Sequence, residues 1–262
     1  MVAQTVLQIR NVSFQYQATP ILNDVNIEVH AGEIFGVIGP NGSGKTTLLR
    51  TINGLLTPKP GEILINGINI HQLSIQQRAR LIASVPQARE LPVTFSAWDV
   101  VLLGRTPYLQ WSGTPTKNDR QIAEAAMQTT NTWHLRDRYI NQLSGGEQQR
   151  LLLARAITQD TPILLLDEPI THLDLKHQVS ILKQIHRLAN ENQLAVVITL
   201  HDLNWAAQFC QRIGVLSQGS MVAQGEPNQV LDENLLSQVY QTPVKIIPYP
   251  GNGKPLVLPH HF

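Results

Sequence analysis

A glycine-rich segment between an apolar run and a helix-forming run limits this chain to a small set of folds. The segment matches the pattern G-x-x-x-x-G-K-[ST], and its residues are Gly39, Pro40, Asn41, Gly42, Ser43, Gly44, Lys45 and Thr46. Residues 34–38 predict a strand before the segment, and residues 46–52 predict a helix after it. A strand, a loop of this kind and a helix in that order predict an α/β fold.

The chemistry of this segment suits the phosphates of a nucleoside triphosphate. Glycines let consecutive backbone N–H groups approach phosphate oxygens, where a Cβ would collide. The positive end of the following helix adds to the attraction. We expect Lys45 to reach the β- and γ-phosphates, Thr46 to hold Mg²⁺ and Thr47 to take part in nucleotide binding. The alternative, an ordinary glycine turn, does not call for the strand and the helix on either side.

Composition excludes several classes of protein. The chain has 262 residues and a net charge of +1, so nothing indicates a surface for a polyanion. Its single cysteine, Cys210, excludes an internal disulfide. The longest apolar runs are too short to span a bilayer, and residues 1–10 do not resemble a signal peptide. We expect a protein that is soluble by itself and reaches a membrane only through a partner.

Three apolar runs are each followed directly by polar residues. The first leads into the glycine-rich segment, the second, residues 163–166, leads into Asp167 and Glu168, and the third, residues 195–200, leads into His201. In open α/β sheets, ligands bind beyond the carboxyl ends of the strands. If these strands are parallel, the three polar groups share one edge of the sheet.

The two adjacent carboxylates at the end of the second run suit metal binding and proton transfer. Asp167 suits a Walker B role, in which it holds Mg²⁺ directly or through water. Glu168 suits the role of a general base that polarises the attacking water. The alternative is a strand that ends at an acidic turn before proline. The glycine-rich segment upstream favours the catalytic interpretation.

A second pair of glycines follows Ser144. Ser144 and Glu147 predict a capping box at the start of a helix that extends to Thr158. A cap alone does not require Gly145 and Gly146, which lower helix propensity in the first turn. Exposed N–H groups at an uncrowded helix start suit a phosphate, so we predict a second phosphate contact here.

With the motif Leu-Ser-Gly-Gly-Glu at residues 143–147, the sequence resembles the ATP-binding-cassette (ABC) ATPases over essentially its whole length. The resemblance implies an α/β P-loop NTPase fold of the ABC type, with a mainly parallel core sheet, an antiparallel β subdomain and an inserted helical subdomain. It implies one ABC ATPase domain at residues 5–242, with the helical subdomain at about 88–158. Residues 243–262 then form a short C-terminal extension.

The resemblance also implies how the chain assembles. In this family the signature motif of one subunit closes on the nucleotide held by the phosphate-binding loop of another, in a head-to-tail dimer. The implied cofactors are ATP and Mg²⁺, and the implied partner is a second copy of this chain. Ser144, Gly145 and Gly146 then bind the nucleotide of that second copy, and Asp174 crosses the dimer interface.

Further positions match the family's motifs. Tyr16 matches the aromatic residue that stacks on adenine, Gln87 matches the glutamine that senses Mg²⁺ and the γ-phosphate, and His201 matches the histidine that contacts the γ-phosphate. The resemblance implies ATP hydrolysis with four catalytic residues, Lys45, Gln87, Glu168 and His201. It implies three metal-binding residues, Thr46, Gln87 and Asp167. Ile170 departs from many relatives, which carry threonine there, but no proposed ligand is lost.

Several less specific stretches are similar to the importers of metal chelates, which serve iron–siderophore, haem and vitamin B12 uptake in bacteria. These stretches are residues 100–105, 171–178, 201–207 and 239–257. The similarity implies two transmembrane permease subunits, an external substrate-binding protein and a peripheral location at the cytoplasmic face of the bacterial inner membrane. The alternative is a non-transport ABC ATPase of nucleic-acid maintenance or translation. One cassette, balanced charge and no heptad run between residues 46 and 143 favour import and predict no nucleic-acid partner.

Two groups of side chains have weaker signals. Trp98, Tyr108 and Trp111 suit ordinary packing, and the alternative is a groove that receives a cytoplasmic helix of a membrane subunit. His260 and His261 are a weak indication of a metal-binding tail.

Overall fold

Three β-sheets organise the residues that the computed structural model describes, which are 4–87, 91–109 and 113–260. The strands are β1 (Thr5–Tyr16), β2 (Thr19–His30), β3 (Ile34–Ile38), β4 (Glu62–Ile65), β5 (Ile68–Asn69), β6 (Ile82–Val85), β7 (Ile163–Asp167), β8 (Ala195–Thr199), β9 (Arg212–Ser217), β10 (Ser220–Gly225), β11 (Val244–Pro248) and β12 (Pro255–Pro259). The α-helices are α1 (Lys45–Ile52), α2 (Ile75–Ala79), α3 (Ala97–Leu102), α4 (Lys117–Thr129), α5 (Gly145–Thr158), α6 (Leu175–Asn192), α7 (Leu203–Phe209), α8 (Pro227–Val230) and α9 (Glu233–Tyr240). Short 3₁₀ helices lie at Ile70–Gln72, Leu103–Tyr108, Trp133–Leu135 and Ile140–Gln142. Within the described ranges, every helix is too short or too polar to traverse a bilayer.

The core sheet has six strands in the order β10-β9-β3-β8-β7-β6. The strands from β9 to β6 run parallel, and β10 pairs antiparallel with β9 at the edge. β3, β7 and β8 are buried at every residue, which explains why their sequences are apolar without alternation. The parallel arrangement confirms the prediction that the polar residues after these three strands share one edge.

A second sheet, in the order β2-β1-β4-β5, is antiparallel. The long strand β1 has a register shift between Ile9 and Val12, where Asn11 takes a left-handed backbone conformation with φ of 51°. β4 and β5 are joined by Asn66 and Gly67, whose φ angles are 49° and 80°. Positive φ at both central residues is the conformation of a tight hairpin turn that favours Asn-Gly.

The helices between residues 97 and 158 pack on one another, since α3 and α4 both contact α5. Capping boxes start all three of them: Ser96 with Asp99 starts α3, Thr116 with Asp119 starts α4, and Ser144 with Glu147 starts α5. The third box is the one that the signature motif predicts. These helices occupy the segment expected to form the inserted subdomain, and the bounds of that subdomain stay a prediction.

A buried ion pair holds this group of helices together. Arg105 Nε lies 2.8 Å from Asp119 Oδ1. Arg105 Nη1 also donates to the carbonyl of Thr158 at the end of α5, at 3.0 Å. The hydrogen bond from the Thr116 hydroxyl, together with Arg105, lowers the pKa of Asp119 against the opposing effect of burial. Arg105 therefore connects α4 and α5 to the segment that follows α3.

The aromatic side chains near this group make packing contacts. Trp98 meets Trp133 edge to face, with ring centres 5.7 Å apart. The Cζ atom of Arg105 lies 3.9 Å from the centre of the Tyr108 ring, a cation–π contact. These contacts give Trp98 and Tyr108 the packing roles that are the default for such residues. The prediction for Trp111 lies outside the described residues, as does that for His261.

The last two strands form an antiparallel hairpin that packs against α7. The side-chain amide of Asn204 donates to the carbonyl of Val257 at 3.2 Å, and its oxygen accepts from the N–H of Val257 at 2.7 Å. Lys254 Nζ donates to the carbonyl of Gln208 at 2.7 Å. The hairpin is thereby fixed to the helix that begins two residues after His201.

Cys210 packs against the core strand β3. A Cβ added to Gly36 of this strand would lie 2.7 Å from the Sγ atom, so glycine leaves the space that the thiol fills. Only 1% of Cys210 is exposed, and burial raises the pKa of its thiol to about 12. The thiol is therefore protonated at neutral pH.

Candidate nucleotide-binding site

A cleft of about 600 Å³ lies at the carboxyl edge of β3, β7 and β8. The residues of the glycine-rich segment and of α1 that line it are Asn41, Gly42, Gly44, Lys45, Thr46 and Thr47. The residues that line it from elsewhere in the chain are Ile21, Gln87, Glu168, Thr171, His172 and His201. The structure thus brings the predicted loop together with Gln87, Glu168 and His201.

The loop backbone has positive φ angles, which favour glycine, at Gly39, Gly42 and Gly44. Gly39 has a φ of 153°, and a Cβ there would lie 2.1 Å from the carbonyl oxygen of Leu216. Gly44 has a φ of 107° and directly precedes α1. Because Gly44 has no side chain with which to cap the helix, the first N–H groups of α1 remain for a ligand at the cleft.

The Lys45 ammonium group is tied to the loop that precedes it. Lys45 Nζ donates to the carbonyls of Gly39 at 2.7 Å and of Pro40 at 3.0 Å. Burial lowers the pKa of Lys45, while the negative charges of Glu168 and Asp167 oppose that effect. The positive end of this side chain therefore lies between the loop backbone and the two carboxylates.

The two carboxylates at the end of β7 are buried and held by a neighbouring strand. The Thr199 hydroxyl in β8 donates to Asp167 Oδ1 at 2.7 Å, and the hydroxyl oxygen of Thr199 accepts from the backbone N–H of Glu168 at 2.9 Å. Asp167 also lines a smaller cavity of about 180 Å³ with Thr46 and Gln87. The three residues predicted to bind a metal therefore meet at one place.

The carboxylate of Glu168 is surrounded by polar groups from three other segments. Gln87 Nε2 donates to its Oε2 at 2.6 Å, and the Thr171 hydroxyl donates to the same atom at 3.3 Å. His201 Nε2 pairs with its Oε1. Such an arrangement fixes the orientation of a carboxylate and places an acid–base group beside the loop.

Outside the glycine-rich segment, five of the predicted residues that the structure describes line neither this cleft nor the smaller cavity: Tyr16, Ser144, Gly145, Gly146 and Asp174. Tyr16 ends β1 with 43% of its surface exposed, and its ring meets that of Phe14 edge to face. Asp174 caps α6 and accepts hydrogen bonds from the backbone N–H and the ring Nδ1 of His177, which lower its pKa. These residues therefore face surfaces other than the cleft of their own chain.

The signature motif forms the first turn of α5. The Ser144 hydroxyl donates to Glu147 Oε2 at 2.7 Å, and the backbone N–H of Ser144 donates to the same atom at 2.8 Å. Burial raises the pKa of Glu147, but these hydrogen bonds and nearby arginines outweigh that effect and lower it. A Cβ on Gly146 would lie 3.2 Å from the ring of His177. Close packing of α6 thus gives one reason for a glycine in this turn.

A comparison with known proteins decides the family. Residues 22–171, more than half of the chain, match the ABC transporter family. The chain belongs to the ABC transporter family. The fold class predicted from the sequence is confirmed by this match and by the arrangement of the sheets.

Relatives and a solved structure cover most of this ABC protein. It is 42% identical over 243 residues to the hemin import ATP-binding protein of Nocardia farcinica, which covers 92% of this chain and 83% of that protein. It is 38% identical over 253 residues to the cobalamin import ATP-binding protein of Halobacterium salinarum, where it spans 97% of its own length and 63% of the relative's. It also resembles the structure of a metal-chelate type ABC transporter in an inward-facing conformation, with 30% identity, a TM-score of 0.86 and 98% of both chains covered.

Thr199 is a site residue of this ABC protein that the motifs do not reveal. It lies two residues before His201, in a strand whose other residues are apolar. A polar residue in such a strand is the one signal in the sequence, and it does not say which partner the hydroxyl meets. The contact with Asp167 and Glu168 depends on the pairing of β7 and β8, which only the structure provides.

Proposed function

We propose that this chain binds ATP and Mg²⁺ in the cleft and hydrolyses ATP to power the uptake of a metal chelate through partner membrane subunits. The observation that carries this proposal is the convergence of Gln87 and His201 on the carboxylate of Glu168, beside the loop that holds Lys45. A binding loop alone suits a nucleotide switch. A buried, oriented carboxylate next to that loop suits catalysis of water attack.

The residues of the loop have the chemistry needed for phosphates. The hydroxyl of Ser43 is buried and makes no hydrogen bond within the part of the chain that the structure describes. Buried polar atoms are nearly always paired, so this hydroxyl fits a phosphate oxygen. The N–H groups at the start of α1 bind further oxygens, and Lys45 exchanges its contacts with loop carbonyls for contacts with the β- and γ-phosphates.

A magnesium ion fits the smaller cavity. Thr46, Gln87 and Asp167 supply a hydroxyl, an amide oxygen and a carboxylate, and Mg²⁺ prefers oxygen ligands of these kinds. When bound, the ion neutralises charge on the β- and γ-phosphates. The protein's own contribution is to place Glu168 so that it accepts a proton from the attacking water, and to place His201 and Gln87 at the γ-phosphate.

A second copy of the chain completes the site. Ser144, Gly145 and Gly146 lie at the start of a 14-residue helix and do not line the cleft of their own chain. We infer that they contact the nucleotide of a partner copy, with Asp174 at the interface, and that Tyr16 stacks on the adenine. Closure of this dimer on ATP and its reopening after hydrolysis form the cycle that drives transport.

The remaining partners follow from the family members that this chain resembles. We propose two transmembrane permease subunits, supplied by a substrate-binding protein, with this chain at the cytoplasmic face of the bacterial inner membrane. Support comes from similarity to import proteins for hemin and cobalamin and to a metal-chelate type transporter. The proposed solute is an iron–siderophore, haem or a cobalamin.

Glu168→Gln tests the catalytic part of the proposal. Glutamine keeps the size of the side chain but cannot act as a base, so we expect phosphate release to fall by about a hundredfold or more. ATP affinity, measured by calorimetry, stays within a few-fold of the wild type. Glu191→Gln, on the exposed face of α6, is the matched control and keeps full activity. Normal phosphate release by Glu168→Gln would remove this residue from the role of base.

Reconstitution tests the transport part. The complex of this chain with its permease subunits, placed in liposomes, is given cobalamin, haem or a ferric hydroxamate together with the binding protein. One of these chelates is expected to stimulate ATP hydrolysis and to accumulate inside. Stimulation by DNA, RNA or ribosomes instead, with no co-purifying permease, would favour a non-transport ABC ATPase.

A further inference from the structure

Thr199 occupies a special place in the core sheet. It is the last residue of β8, its side chain is fully buried, and the other residues of that strand are apolar. In the parallel pairing of β7 with β8 it lies beside Asp167. Paired residues of neighbouring strands project from the same face of a sheet, so the hydroxyl meets β7 at its carboxylate end.

The hydroxyl makes two hydrogen bonds that use it both as donor and as acceptor. Its proton goes to Asp167 Oδ1 at 2.7 Å, and its oxygen accepts from the backbone N–H of Glu168 at 2.9 Å. A hydroxyl has one proton and two lone pairs, so both bonds form together. One buried group therefore joins the proposed metal ligand to the backbone of the proposed base.

The backbone of Glu168 depends on such support. Its φ is 51°, in the left-handed region that residues other than glycine rarely adopt. Conformations of this kind persist where surrounding contacts hold them. The bond that Thr199 accepts from the Glu168 N–H is one such contact, and the side chain of Glu168 meets Gln87 and His201.

We propose that Thr199 is a positioning residue, which holds Asp167 and Glu168 in the orientation required for metal-dependent ATP hydrolysis. It acts through its hydrogen bonds to the Asp167 carboxylate and the Glu168 backbone. The inference rests on the proposed function of the cleft and adds to it a residue outside the family's motifs.

Three variants separate the hydroxyl from the rest of the side chain. Thr199→Val removes the hydroxyl and nearly keeps the shape, while Thr199→Ser keeps the hydroxyl and loses a methyl group. Thr158→Val is the matched control, because Thr158 is equally buried in α5 and its hydroxyl donates to the carbonyl of Ala154 at 2.8 Å, away from the cleft. Each variant is first compared with the wild type by thermal denaturation.

Three readouts then follow on folded protein. They are ATP turnover, the affinity of the complex with a slowly hydrolysed ATP analogue for Mn²⁺ by electron paramagnetic resonance, and hydrogen exchange of the Glu168 amide without nucleotide. For Thr199→Val we expect turnover to fall about tenfold, Mn²⁺ to bind several-fold more weakly and the amide to exchange about tenfold faster. Thr199→Ser and Thr158→Val stay within about threefold of the wild type in all three readouts.

Several results would overturn the proposal. Thr199→Val with wild-type turnover, Mn²⁺ affinity and amide exchange excludes it, as does a Thr199→Ser variant as impaired as Thr199→Val. If Thr158→Val were equally impaired, the loss of turnover in Thr199→Val would be explained by lost stability alone. If Thr199→Val does not fold, Thr199→Ala takes its place with the same expected results. A wild type that releases no phosphate contradicts the proposed function instead, while exchange of the Glu168 amide still tests Thr199.

Discussion

Lys45, Asp167 and Glu168 place one cation and two carboxylates in a largely buried site. Burial lowers the pKa of Lys45, and attraction to the two carboxylates partly opposes this. A triphosphate brings further negative charge to the same place. Negative charge favours the protonated form of an amine, so nucleotide binding is expected to raise the pKa of Lys45.

Lys45→Ala should weaken nucleotide binding strongly, because it removes the ammonium group proposed to contact the phosphates. The variant loses charge-assisted hydrogen bonds to the phosphates, a loss of about 2–3 kcal/mol or roughly a hundredfold in Kd. Calorimetric titration with ATP measures it. Lys183→Ala, at an exposed position of α6, is the control and keeps wild-type affinity. An unchanged Kd for Lys45→Ala would count against the phosphate role.

Single residues with a local signature were predictable, and those with distant partners were predictable only through the family. Lys45 follows from its own glycine-rich segment, because loop, strand and helix are adjacent in sequence. Gln87 is 81 residues from Glu168, and nothing in the Pro-Gln pair itself points to that contact. Thr199 is 32 residues from Asp167 and belongs to no motif. Neither the hydrophobic period of a strand nor the spacing between motifs specifies which strands are neighbours in a sheet.

Among the helices, the pair Arg105–Asp119 is a buried ion pair within the region between residues 97 and 158. Both side chains are about 6% exposed. Removing one member of a buried pair leaves the other charge uncompensated, which costs more than the pair itself contributes. Packing of α4 on α5 therefore depends on both residues.

Asp119→Asn is expected to destabilise the protein by about 3 kcal/mol at pH 7 because Arg105 loses its counter-charge. The pKa of Asp119 is lowered from 3.8 in the folded state, so its contribution is complete above that value and declines only as pH falls further. The difference in urea unfolding free energy should therefore be equal at pH 5 and pH 7. Asp137→Asn, an exposed member of a surface pair, is the control and costs under about 1 kcal/mol. A difference already shrinking between pH 7 and pH 5 would contradict the assignment.

Turns and helix starts with local sequence signals match the structure. The positions of elements that depend on distant contacts could not be predicted from the sequence. Asn66 and Gly67 form the predicted turn and Ser144 starts the predicted helix, because each depends on neighbours within a few residues. The hairpin of β11 and β12 has a local turn signal in Asn252-Gly253, but no local signal for the helix on which it packs. Its position on α7 depends on the side chain of Asn204, 53 residues before Val257.

The whole molecule has two separate surfaces, each of which is half of the proposed shared nucleotide site. The cleft holds the loop, the carboxylates and His201, while the signature turn at Ser144 starts a helix that packs against α3 and α4. In the proposed head-to-tail dimer, two copies bring the two halves together twice. On this proposal, hydrolysis requires the dimer, whereas one chain is enough to bind the nucleotide.

Ser144→Arg separates these two properties. A bulky cation at the start of α5 should block closure of the dimer, so ATP turnover falls about tenfold or more while ATP affinity changes by less than about threefold. Turnover assays, calorimetry and size-exclusion chromatography with ATP in the Glu168→Gln background measure these effects. Ser74→Arg is matched, because Ser74 also heads a capping box, and it should keep full turnover. Activity insensitive to Ser144→Arg would contradict a shared site.

Because Cys210 packs against Gly36 in the core sheet, the reactivity of its thiol reports local opening of that sheet. With 1% of the residue exposed and the pKa of the thiol near 12, alkylating reagents modify it only when the sheet opens around it. The rate of that modification, read by mass spectrometry, gives the free energy of opening next to the nucleotide loop without any introduced label. Adding ATP should slow this modification. The change in rate then measures how much a ligand bound at the carboxyl edge of the sheet stabilises the sheet against local opening.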